Sequence, residues 1–121
     1  MEVMNKEIDK EKPLRLINAH RQMSEILSKT KKLQSSASSA IKQQELALSV
    51  RGLSDIWLSE CRTGQPTAEN FSSLENIFSS GIAGTQKAFD FVKAFFDLIN
   101  EMVFQELGNW LNTYIYIYIY G

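Results

Sequence analysis

Between Ala88 and Leu111 the chain reads AFDFVKAFFDLINEMVFQELGNWL, and its polar residues fall in one narrow line. Asp90, Lys93, Asp97, Glu101 and Gln105 recur every three or four positions, so on a helix of 3.6 residues per turn they share one side. The rest of the circumference is apolar, a wider face than a helix resting on a single partner buries. Ile82, Phe89, Phe96, Val103 and Trp110 repeat every seven residues, with Phe95, Ile99 and Met102 beside them. These eight residues are the expected apolar contact surface. Three covers are open for it: an oligomer core, a lipid or polymer surface, or a core within the chain.

A second pattern occupies the first half. Pro13 suits the first turn of a helix, where its missing N–H is no loss, and no proline follows until Pro66. Leu16, Ala19, Met23, Ile26, Thr30, Leu33, Ala37, Ala40, Gln44 and Ala47 keep a 3-4 spacing, the seam of a coiled coil. Leu16, Met23, Ile26 and Leu33 carry most of its apolar volume. A three-residue slip then leads to Val50, Leu53 and Trp57. The SSASS run at 35–39 has poor helix propensity and predicts a flexible or broken joint. In RTGQP, Gly64 can end a helix and Pro66 bars its continuation, after which Thr67 is a suitable N-cap. Helix 1 is therefore expected over about 13–61, a loop at 62–66, and helix 2 over about 68–112. Gly81 and Gly84 interrupt helix 2 and read either as a hinge or as points of close helix approach. The tail YIYIYIYG alternates strictly, a strand pattern, and is read as an incidental low-complexity extension at 113–121 that promotes self-association.

Composition narrows the class. With 121 residues, 44% hydrophobic and 22% charged, the chain can form one domain with its own core. Only the first dozen residues look frayed. Net charge is -1, without the basic stripe of a nucleic-acid binder. The charge is divided: residues 1–62 hold eleven cations against eight acids, and residues 63–121 two against six, which favours antiparallel contact between the halves. No secretory leader pattern and no spanning stretch of about 18 apolar residues is present. The single Cys61 fits a reducing compartment, and a cytoplasmic location is expected.

No catalytic, cofactor or metal constellation emerges. His20 is the only histidine, and its neighbours predict a solvated surface residue. Cys61 sits beside Arg62, which could depress its pKa, but no imidazole base is near it in sequence. Lys29, Lys31 and Lys32 are expected on a solvated helix face. The expected protein is not an enzyme.

The layout resembles the phasins, the helical proteins that coat polyhydroxyalkanoate granules in bacteria. The resemblance covers residues 14–112: a first long helix with repeated small residues and the pair Gln43 and Gln44, the short loop RTGQPTAENF, then an amphipathic second helix. The paired glycines, the many phenylalanines and the Tyr-Ile tail depart from it. It implies an amphiphile whose apolar faces adsorb on polyester while the polar seam faces the cytoplasm. Replacing Phe89, Phe96 and Val103 with Asp should then release it from granules.

The expected architecture is all-α: two long amphipathic helices in a coiled-coil-like hairpin, assembled as a homo-oligomer. The expected function is coating of a polyester granule or other apolar surface. The alternative is a coiled-coil adaptor or assembly subunit whose apolar face is filled by partner helices. A secreted helical filament subunit, which requires an export system, is a third reading.

Overall fold

A computed structural model describes residues 8–33, 40–61 and 66–120, and all its regular elements are helices. There are four: α1 (Lys12–Leu33), α2 (Ala40–Glu60), α3 (Ala68–Ser79) and α4 (Gln86–Tyr120). The all-α expectation holds, while the two long helices are each replaced by a pair. Four contacts show that neighbouring helices run antiparallel, three of them between successive helices and one between α1 and α4. Arg15 Nε donates to Glu60 Oε1 at 2.6 Å, and Arg51 Nε to Glu75 Oε1 at 2.9 Å. The rings of Phe71 and Phe95 meet edge to face at 4.9 Å, and Lys12 Nζ reaches Glu106 Oε2 at 3.1 Å. The result is an up-down-up-down four-helix bundle. Its strongest pairings are α2 with α3 and α1 with α4, and the α3–α4 contact is the slightest of the four.

The core follows the 3-4 spacing within each helix but not across helices. Leu16, Ala19, Met23, Ile26, Thr30 and Leu33 are all buried on α1, as the seam predicts. On α2 the buried set is Gln43, Leu46, Ala47, Val50, Leu53 and Trp57, whereas Ala40 and Gln44 are exposed. The seam does not carry through because α2 is a separate helix lying back along α1, and its phase is set by packing. The joint expected at 35–39, Ala37 within it, and the Gly64 stop lie outside the described residues.

Local chemistry explains the helix ends. Asp9 Oδ1 accepts the Glu11 N–H at 3.1 Å just before α1, and Pro13 falls in its first turn. Thr67 caps α3 as expected: its Oγ1 accepts the Asn70 N–H at 3.3 Å, while the Asn70 side chain accepts the Thr67 N–H at 2.9 Å. Where a continuous helix was expected through residues 80–85, α3 stops. Gly81 takes the left-handed φ of +73°, its N–H reaches Phe78 O at 3.1 Å, and the Ile82 N–H reaches Ile77 O at 3.3 Å. This pair of bonds is a Schellman stop. Thr85 then starts α4, its Oγ1 accepting the Ala88 N–H at 3.2 Å.

The Tyr-Ile tail is helical. Instead of forming a strand, residues 113–120 continue α4 to Tyr120. A lone strand would leave its N–H and C=O groups without a ladder, whereas helix geometry satisfies them within the segment.

Candidate functional site

The eight residues expected to form the apolar contact surface divide into three groups. Phe95, Ile99, Met102 and Val103 are buried, together with Ala88 and Val92, so the chain's own helices cover them. Phe89, Phe96 and Trp110 are half-buried and lie on the flank of α4 turned to α1. There the Phe96 ring packs on His20 at 5.3 Å, and Trp110 Nε1 donates to Asp9 O at 2.8 Å. Ile82 sits in the α3–α4 turn and is exposed. The polar line Asp90, Lys93, Asp97, Glu101 and Gln105 is exposed throughout. Because Val103 belongs to the core, Asp at this position would disrupt the bundle before it reported on any surface contact.

Gly81 and Gly84 serve the turn between α3 and α4. Gly81 supplies the left-handed residue. A Cβ on Gly84 would stand 3.2 Å from Leu33 O, so its hydrogen lets the turn close on the end of α1. The adjacent glutamines hold the same turn. Gln43, 2% exposed, accepts the buried Ala83 N–H on its Oε1 at 3.1 Å, and Gln44 Nε2 donates to Ser79 O at 3.1 Å. Neither role is visible from helical spacing, because the partner groups are backbone atoms about forty residues away. The 3-4 spacing puts Gln44 on the apolar seam, yet Gln43 is the buried one; the resemblance alone singles out both.

Among the described residues, His20 and Cys61 lie apart. His20 is not the solvated residue expected: its Nε2 lies 2.7 Å from Asn100 Oδ1, between α1 and α4. Cys61 is buried, and burial, then the Glu106 carboxylate, push its thiol up to about 12. This is opposite to the depression expected from the neighbouring Arg62, and it keeps the sulfur a protonated thiol at neutral pH. Among the described residues no group of three or more His, Cys, Asp or Glu is placed to hold a metal. Lys29 and Lys32 of α1 join Lys42 of α2 around a cleft of about 380 Å³ that Glu45 and Ser49 also line. Lys32 and Lys42 are already engaged with neighbouring groups.

Among the described residues, the far end of α4 runs on past the other three helices. Contacts from Asp9 and Lys12 bring α1 level with Trp110 and Glu106, and α4 runs on from there to Tyr120. Ten residues at 1.5 Å each extend roughly 15 Å past the bundle. Leu111, Ile115, Tyr116, Tyr118, Ile119 and Tyr120 are exposed on it. Trp110, Tyr114 and Tyr118 stack in a row, with centroids 5.3 and 6.1 Å apart. The last cation in the chain is Lys93 and the last acid Glu106, so this end carries no charged side chain. No described helix is long and apolar enough to cross a membrane. Comparison with protein-family models, curated proteins and solved structures finds no match.

Proposed function

We propose that this chain is a non-enzymatic amphipathic protein that attaches to an uncharged apolar surface, in the manner of a phasin on a polyhydroxyalkanoate granule. The observation that carries the reading is the uncharged, apolar end of α4, which extends past the other described helices. Its chemistry favours a neutral polymer over an anionic membrane, which basic residues would be needed to attract. Large apolar side chains contribute roughly 1.5 to 3 kcal/mol each when buried. Four such contacts approach the roughly 8 kcal/mol of a micromolar complex before immobilisation costs. The adaptor alternative loses its main motive, since the chain's own helices already cover Phe95, Ile99, Met102 and Val103.

The test is co-sedimentation of the purified chain with polyhydroxybutyrate particles, and separately with neutral and anionic liposomes. Polymer binding that is lost in Tyr116→Glu/Tyr120→Glu, with helix content unchanged by circular dichroism, is the expected result. Absence of polymer binding by the parent chain, or equal binding by the double variant, overturns the reading.

A further inference from the structure

One row on the outside of α4 keeps the 4-3-4-3 spacing of a coiled-coil seam: Phe104, Gly108, Leu111, Ile115 and Tyr118. All five are exposed, with Phe104 at 71%, Leu111 at 49% and Tyr118 at 79%. The row lies outside the arc that α4 buries in its own bundle. It begins beside α1 and ends on the projecting turns. We propose that this row is the interface with a second copy of the chain, packed antiparallel about a two-fold axis at Leu111.

The row is complementary to itself in that register. A two-fold contact places each residue against its mirror position. With Leu111 on the axis, Phe104 lies level with the second copy's Tyr118, and Ile115 of each chain comes within one residue, about 1.5 Å along the helix, of Gly108 of the other. Large side chains thus face a hole at the one glycine in the row. Gly108 has no use within its own bundle: a Cβ there would meet nothing within 4 Å, yet glycine weakens a helix interior. A close helix approach from outside accounts for it.

Charge supports a second copy as the occupant. None of the five residues of the row is charged, so laying the row against itself brings no like charges together. Antiparallel pairing also avoids setting two negative helix C-termini side by side. One exposed apolar residue of α1 fits the same geometry. Lys12–Glu106 and His20–Asn100 fix the register of α1 on α4, and it puts Ile17, one turn before His20, level with Glu101. Ile17 flanks the place where the second copy's Tyr118 arrives, which accounts for its exposure of 52%.

The area is adequate. Covering Ile17 and the four side chains of the row removes roughly 600 Å² per chain, or about 1,200 Å² in all, the lower end of a specific interface. Pairing also explains why a segment rich in tyrosine and isoleucine, weak helix formers, is helical past the end of its bundle. A dimer covers part of the surface that a polymer would contact, so pairing and adsorption compete.

The test is sedimentation equilibrium of the full chain without particles, over a micromolar concentration series. The parent chain should reach a dimer. Gly108→Leu, which fills the hole without a clash inside its own bundle, should weaken the dimer at least about tenfold while the helix signal is kept or rises. Adding Ile115→Ala to Gly108→Leu moves the large side chain across the interface and should restore most of the loss. A parent chain monomeric throughout the series, or a dimer indifferent to Gly108→Leu, overturns the proposal. Because no particle is present, these outcomes are independent of granule binding, which Tyr116→Glu/Tyr120→Glu tests on the opposite side of the helix.

Discussion

Two neighbouring glutamines offer a controlled measurement of what holds the bundle shut. Gln43 and Gln44 both reach the α3–α4 turn with hydrogen bonds of 3.1 Å, but the first is buried and the second exposed. Gln43→Met keeps length and flexibility while removing the oxygen that accepts the Ala83 N–H. Ala83 is fully buried, so water cannot replace that acceptor. An orphaned buried donor costs about 1 to 3 kcal/mol. For a chain of this length that corresponds to a fall in Tm of about 4 to 12 °C. Gln44→Met removes a donor from Ser79 O at a hydrated position and should cost about 0.5 kcal/mol or less. Urea unfolding of both variants by circular dichroism gives the comparison, with equal m-values confirming that only stability has changed. If the two variants lose the same stability, or Gln43→Met loses none, the buried bond does not secure the turn.

Other consequences are equally direct. Gly81→Ala forces a side chain into the left-handed region and should cost about 1 kcal/mol, read as a lower urea midpoint. Trp57 is fully buried, and its Nε1 has no hydrogen-bond partner among the described residues. Trp57→Phe removes that unpaired N–H with part of the ring and should cost well under the roughly 3 to 5 kcal/mol of Trp57→Ala. The Cys61 thiol is held up near 12 in the fold against 9.0 in a free chain. Stability from this site is therefore full below about pH 9 and declines as pH rises from there toward 12. Thermal melts between pH 8 and 11 follow the decline, with Cys61→Ala as the variant in which it is reduced. At pH 8 the native thiol should react with iodoacetamide far more slowly than the urea-unfolded chain, measured by mass spectrometry.

Along the first helix and the polar line of the last, the sequence by itself determined which side chains turn inward and which outward. The 3-4 spacing picked out Leu16, Ala19, Met23, Ile26, Thr30 and Leu33, and all six are buried, because a helix phase is a local property repeated every 3.6 residues. The Thr67 cap was legible for the same reason: donor and acceptor lie within one turn. The polar line from Asp90 to Gln105 was likewise legible, and it is exposed throughout.

Tertiary structure decided where helices begin again and what covers their wide faces. A seam that ran on paper from Leu16 to Ala47 belongs to two antiparallel helices, and the second buries Gln43 and Leu46 in place of Ala40 and Gln44. The turn at 80–85 depends on contacts from residues distant in sequence: Gln43 on Ala83, and the Leu33 carbonyl against Gly84. The Tyr-Ile tail marks the clearest division. Alternation is the correct pattern for a strand, but a strand needs neighbours to take up its backbone hydrogen bonds. Continuing α4 meets that need inside the segment itself, and it leaves an uncharged apolar helix end for whatever the protein meets next.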